Sequence, residues 1–271
     1  MDKKEFEALV NARMINEVGF VDFYMQNPSE MEKLTVKDLA NIGTLSQPQA
    51  NNFIIENGAA NADGMSIEEF MELVSKGGYV KLVNDILDPE MISIVNDVTI
   101  DLNGYSITKT TTTKSKKCVL FYVKGSGSKL TITGEGNVNV ESGETDIAVW
   151  ADEDSEVVIE SGNFHGVGNV GGSDLIYAKD GKILVNGGTF KLDNMTEAGF
   201  AQPQYSLLNV YGGNVNNAKD YIIVTGGKFY RFDPSNNVSE GLNTNFVEDG
   251  YIVVQKGDFY EVVKDEIVVE E

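Results

Sequence analysis

A glycine that returns at the same place in a strand and turn phrase constrains this chain more than any other feature. The phrase runs apolar strand, glycine, one variable residue, apolar residue. It ends as Gly136-Asn137-Val138, Gly162-Asn163-Phe164, Gly188-Thr189-Phe190 and Gly227-Lys228-Phe229. The apolar runs before them begin at Leu130, Val157, Ile183 and Ile222. The first three glycines are spaced 26 and 26 apart (162−136, 188−162), and the next step is 39 (227−188). A steady period in this range marks a stacked array in which each repeat buries its apolar face only against its neighbours. A propeller blade needs about 40 residues, and a sandwich does not need one motif at a fixed period. Coils of this length with several short strands fit a parallel β-helix.

A second column points the same way. Tyr122, Trp150 and Tyr177 precede Val123, Ala151 and Ala178, at spacings of 28 and 27 (150−122, 177−150). Aromatics at rung spacing stack on successive coils, roughly 4.8 Å apart. If Phe121, Val149 and Ile176 point inward, the three aromatics face outward and offer a flat stacking surface for sugar rings. If the parity is reversed, the column is core. The 39-residue step implies an outward loop, whose expected seat is 194–204.

The flanks differ from the array. Phe6, Leu9, Val10 and Met14 fall at helical spacing, and capping or proline signals near Ser29, Thr35 and Pro48 suggest further short helices. Residues 1–60 therefore read as a small helical module, too short to bury much core alone. The small polar stretch 56–64 reads as a linker. Ser66 and Glu69 form a capping box for a helix over 66–76 that carries Ile67, Phe70, Met71 and Val74 on one face. Gly77-Gly78 stops it, and a helix there covers the first rung of an array. Short strands then run from Tyr79 to about Phe232, so the solenoid with its capping helix spans 66–232. Within 233–271, Tyr251–Val254 and Phe259–Val263 are set as a β-hairpin around a turn at 255–258, closing the C-terminal edge.

Charge removes several function classes. With 42 acidic against 21 basic residues the net charge is −21, and the only arginines are Arg13 and Arg231. Such a field repels nucleic acid and anionic lipid. No stretch is long and apolar enough for a membrane span or a signal peptide, so the chain is expected to be made in, and not exported from, a cytoplasm. The single cysteine, Cys118, sits in an apolar run and reads as a small buried hydrophobe. The single histidine, His165, cannot form a metal site alone and reads as a surface turn residue. No EF-hand spacing appears, and no cofactor or metal is expected.

Catalysis also lacks a constellation. Glycan-cleaving β-helices need paired carboxylates at set separation, or a base near calcium. The run Asp152–Glu156 reads as a solvated turn, and Asp101 as an ordinary outward strand residue. The chain is therefore expected not to be an enzyme. The tract Thr108–Lys117, with four lysines and no apolar residue, reads as a loop leaving the solenoid.

The run from Gly77 to Ile86, the run from Val98 to Ile107 and the close from Val224 to Pro234, followed by Glu248–Tyr251, resemble right-handed parallel β-helix proteins of gut bacteria and their phages. The resemblance covers residues 66 to about 264 and is more specific for fold than for function. It implies a virion surface protein of a tailed bacteriophage, such as a head fibre, decoration protein or small tail appendage. On that plan Phe6, Leu9, Val10 and Met14 anchor the chain to phage capsid or tail proteins, with a homo-oligomeric β-helix projecting outward. Host surface polysaccharide would meet Tyr122, Trp150 and Tyr177. A glycan-binding adhesin module, or a glycan-cleaving tailspike-like enzyme, is the alternative.

Overall fold

The computed structural model describes residues 64–110, 117–141, 145–167, 173–193, 205–213 and 216–266. The helical module expected at 1–60, with Phe6, Leu9, Val10 and Met14, lies outside the described residues, as does the segment 194–204. Helix α1 (Ile67–Lys76) opens the described chain. The first coil follows as β1 (Gly78–Lys81), β2 (Ile86–Leu87) and β3 (Ile92–Ile94), and the second as β4 (Asp97–Asp101), β5 (Ser106–Thr110) and β6 (Lys117–Lys124). Next come β7 (Lys129–Thr133), β8 (Asn137–Glu141) and β9 (Thr145–Asp152), then β10 (Glu156–Ile159), β11 (Asn163–Gly166) and β12 (Ser173–Ala178). The array closes with β13 (Lys182–Val185), β14 (Thr189–Leu192) and β15 (Tyr205–Val210), then β16 (Ile222–Val224) and β17 (Lys228–Tyr230). A hairpin of β18 (Tyr251–Lys256) and β19 (Phe259–Lys264) ends it.

Every third strand pairs, so the chain is a mainly β, parallel β-solenoid with three walls. Wall A runs β1-β4-β7-β10-β13-β16, wall B carries β2-β5-β8-β11-β14-β17, and wall C runs β3-β6-β9-β12-β15. The period is the register: Asn163 pairs with Asn137 and Thr189, each 26 residues away (163−137, 189−163). Like residues therefore stack on like. Val98, Leu130, Val157, Ile183 and Ile222 form one inward column, all within 2 % of full burial. Phe164, Phe190 and Phe229 form another, with ring centroids 5.1 and 4.9 Å apart and planes within 15° and 11°. Offset stacking of this kind adds about 0.5–1.5 kcal/mol per pair beyond the area buried. Outward residues instead alternate in charge: Asp97, Lys129, Glu156 and Lys182 lie side by side, with Lys129 Nζ 2.5 Å from Glu156 Oε1.

The recurring glycines let the coils close. Gly136 has φ +142°, and a Cβ there would lie 2.2 Å from the Tyr105 carbonyl oxygen of the coil before. Gly188, at φ +96°, would meet the Gly162 carbonyl at 2.9 Å. The phrase thus encodes backbone packed directly on backbone, where no side chain fits.

The 39-residue step resolves into two insertions, not the single excursion expected at 194–204. Tyr177 pairs with Asn209, 32 residues on; Phe190 to Asn209 spans 19 residues against 13 from Phe164 to Tyr177, so six extra residues enter between β14 and β15 (19−13). Ile183 pairs with Ile222, 39 on, so seven more enter between β15 and β16 (39−32). The second insertion includes a 3₁₀ turn at Ala218–Asp220. The Thr/Lys tract, expected to be a loop throughout, is strand at both ends. Thr108–Thr110 belong to β5 and Lys117 to β6, because the neighbouring coils extend the ladder past the polar residues. Only 111–116 lie outside the described residues.

Both ends of the stack are covered. Ser66 and Glu69 form the capping box of α1, which packs on β1 and β3 through the buried Phe70 and Val74. At the far end the cap is divided. Phe246 and Glu248 bond the backbone of Val224 in β16, β19 pairs antiparallel with β17, and Glu240 Oε1 accepts from the Val210 amide of β15 at 2.6 Å. The hairpin turns over Gly257 and Asp258, tighter than the expected 255–258.

Gly136→Ala is expected to lower stability by ~2–5 kcal/mol, combining the left-handed backbone cost with overpacking. Gly104→Ala, at φ +87° with nothing within 4 Å of its Cβ, is expected to lose only ~1–2 kcal/mol. Chemical denaturation of both variants checks the difference, and equal losses would contradict backbone contact as the cause.

Candidate functional site

The aromatic column forms and it faces outward. Tyr122, Trp150 and Tyr177 pair in register across β6, β9 and β12, continued by Ser93 on one side and Asn209 on the other. Their chain neighbours Phe121, Val149 and Ile176 are fully buried, which settles the parity. The rings do not make the flat surface that the spacing suggested. Trp150 meets Tyr122 at 5.1 Å and 62°, and Tyr177 at 5.4 Å and 74°. At rung spacing, edge-to-face contact satisfies the ring quadrupoles better than a face-to-face stack. The column is therefore corrugated, with the ring of Trp150 set across those of its two tyrosine neighbours.

Polar groups bracket these rings. Asp152 was expected in a solvated turn, yet it ends β9 with its side chain only 4 % exposed. Only Glu153 and Asp154 form the exposed turn, both at positive φ. Asp152 accepts from the Tyr122 hydroxyl at 3.1 Å and from the Glu153 amide at 2.9 Å, with Lys179 Nζ 3.4 Å away. Ser155, also buried, donates to the Val123 carbonyl at 2.9 Å and accepts from the Asp152 amide, which locks this corner. Burial, the hydrogen bond to Asp152 and that carboxylate's charge together raise the Tyr122 phenol. Burial first, then the charges of Asp174 and its neighbours, pushes the Tyr177 phenol up to about 12. Asn209 donates to Asp174 at 3.0 Å beside it. Tyr211, 65 % exposed, carries Lys179 Nζ 6.0 Å from its ring centre and extends the aromatic surface by one ring.

A second concavity lies where wall A turns into wall B. The glycine phrase floors a groove of about 660 Å³ that crosses several coils. Gly136, Gly162, Gly188 and Gly227 form its base, and Asn137, Asn163, Thr189 and Lys228 stand along it. Asn163 Nδ2 donates to Asn137 Oδ1 at 3.2 Å, and Asn137 Nδ2 donates to Ser106 Oγ at 3.0 Å. The groove exists because the turn residues have no Cβ. Its volume lies within the range of small-molecule sites, and its open lining mixes polar side chains with backbone carbon.

The remaining singled-out residues fall into structural roles. Cys118 is 1 % exposed in β6, its Sγ 3.7 Å from the Lys109 carbonyl oxygen, and burial pushes its thiol up to about 11. His165 is an outward strand residue of β11 and not a turn residue, with Nε2 3.1 Å from Asp193 Oδ1. Asp101 faces outward as expected and receives the Tyr79 hydroxyl and the Asn103 amide. Arg231 sits at positive φ beside Asp258, beyond the last coil strand. Among the described residues no group of three or more His, Cys, Asp or Glu is placed to hold a metal ion. None of the described helices is long and apolar enough to cross a membrane.

Two features of the site escaped the sequence. Tyr211 lies two residues past Asn209, the row's position in β15, and 34 from Tyr177 (211−177), because the first insertion breaks the period before it. The groove escaped because glycines carry no side chain to suggest a surface. No family model, curated protein or solved structure matches this chain.

The Tyr177 phenol gives a pH signature. Its folded pKa lies above its unfolded value of about 10, so its contribution to stability is whole below pH ~10 and declines as pH rises toward about 12. Tyr177→Phe is expected to flatten that alkaline decline in melts recorded against pH, and an unchanged slope would assign it to other groups. Native Cys118 is expected to resist iodoacetamide until the chain unfolds, as mass spectrometry of the alkylated protein would show.

Proposed function

We propose that this chain is a non-catalytic surface protein whose solenoid is a rigid stalk with a glycan-contact face. On this reading it is a virion surface component of a tailed phage, attached by its N-terminal residues and displaying the β-helix to the host. The observation that carries the glycan reading is the outward row Tyr122, Trp150 and Tyr177, edged by Asp152, Lys179 and the exposed Tyr211. Sugar rings combine apolar faces with hydroxyls, and such a row offers aromatic area beside the partly exposed ammonium of Lys179, which the buried Asp152 holds in place. A corrugated row suits a chain that lies across several coils better than it suits one flat ring. The acidic surface favours a neutral or cationic glycan over an anionic one.

Trp150 is the only tryptophan in the chain, so it reports directly on this face. Titration with host capsular polysaccharide is expected to shift its emission. Tyr177→Ala and Tyr211→Ala are each expected to weaken binding by roughly three- to tenfold, the scale of one aromatic contact. Emission unchanged across a glycan panel would remove the glycan reading. Mass spectrometry of purified particles tests the virion assignment separately, since absence of the chain from them would end it. The same polysaccharide is expected to be recovered at its original length, and shortened products would favour the tailspike-like alternative.

A further inference from the structure

The cap that seals the solenoid creates an edge of its own. Segments 246–248, strand β19 and residues Ser239 and Glu240 cover the last strands of walls A, B and C. Among the described residues, strand β18 is the outermost strand of wall B, with β19 on one side and no strand on the other. Its hydrogen-bonding parity follows from its neighbour. The Val262 amide of β19 donates to Gly227, so Val262 faces the solenoid, and Glu261 and Val263 face β18. Their partners Val254 and Ile252 are thereby bonded to β19. The amides and carbonyls of Val253 and Gln255 then point to the free edge.

That edge lacks most of the features that keep strands apart. There is no proline from Tyr251 to Lys264. The strand runs six residues in unbroken register with β19, so it carries no bulge. Its outer side shows Ile252 at 43 % and Val254 at 36 % exposure, while Val253 packs on the core. A lysine, Lys256, occurs only at its end.

We propose that β18 is a self-association edge, and that two copies pair it antiparallel about a two-fold axis through Val253, carrying wall B across the dimer. In this register the Val253 backbones bond each other and Tyr251 lies opposite Gln255. Ile252 of each copy meets Val254 of the other, so all four exposed aliphatics are matched. Lys256 lies opposite Gly250, beside Glu248 and Asp249 of the second copy. Within its own copy Lys256 holds Glu261 at 2.6 Å and Lys219 holds Asp249 at 2.8 Å, so the strand's one basic residue joins an existing charge network at an acidic turn. The neighbouring registers that keep the same parity do worse. Centring on Val254 sets Lys256 against Ile252, and centring on Ile252 sets Val254 against Gly250. A second copy fits better than an unrelated peptide because the strand complements itself in both apolar pattern and charge.

Sedimentation equilibrium of the full chain tests this without reference to any glycan. The expected result is a concentration-dependent dimer. The double variant Ile252→Lys, Val254→Lys and the single variant Gln255→Pro are each expected to raise the dimer dissociation constant at least ~10-fold, or ~1.4 kcal/mol. The first sets like charges opposite each other, and the second removes an edge donor at a position where proline is tolerated. Leu242→Lys, at a residue 78 % exposed outside the strand, is expected to leave the dimer unchanged. Unchanged far-UV circular dichroism, and melting temperatures equal to wild type at concentrations where both are monomeric, verify that each variant folds. A wild-type chain that stays monomeric at every concentration, or a dimer that persists in both edge variants, would overturn the proposal.

Discussion

Direct contact between the backbones of successive coils is the constraint on which the rest of this structure depends. At the turn from wall A to wall B the chain passes so close to the previous coil that a methyl group would overlap a carbonyl oxygen, as at Gly136 against Tyr105. Only glycine closes the coil at this spacing, and it does so at backbone angles that other residues avoid. Once the turn is closed, the parallel ladder holds each residue above its counterpart, and like side chains stack. The phenylalanine column, the aliphatic columns and the alternating charge row on wall A all follow from that register.

The same geometry makes two different surfaces. On wall C it turns one aromatic per coil into a continuous outward row, with Asp152 drawn out of solvent to hold the Tyr122 hydroxyl. At the wall A to wall B turn it removes the side chains of the recurring glycines and leaves an open groove floored by backbone. A solenoid can carry such features because its stability is distributed along the stack, each coil resting on the next. Only its two ends need other solutions. Helix α1 supplies one and the C-terminal cap the other, and that cap transfers the problem of an open sheet edge from the last coil to β18.

Legibility in the sequence followed the period. Where the 26-residue repeat held, strand positions, inward columns and the aromatic row could all be read, since pairing in register converts spacing directly into contact. Where it broke, the reading failed in identifiable ways. The 39-residue step was seen as one loop but is two insertions, because strand pairing alone shows where β15 rejoins the stack. Asp152 was read as solvated because four further polar residues follow it, yet its partners Tyr122 and Lys179 lie 30 and 27 residues away (152−122, 179−152). His165 was placed in a turn because it directly follows the repeat phrase that ends at Phe164, although the coils on either side draw it into a strand.

By itself, the sequence determined the architecture: a glycine-punctuated period that permits only stacked parallel coils, a capping box that starts a helix, and a hairpin that ends the array. These are local chemical facts, carried by residues that have few conformational alternatives. Tertiary structure alone decided what the stack presents. It set the outward parity and edge-to-face packing of Tyr122, Trp150 and Tyr177, and it buried Asp152. It opened the glycine groove, and it left β18 at the rim of wall B. Each of these depends on which coil lies next to which. That is a relation between residues tens of positions apart, fixed only when the ladder forms.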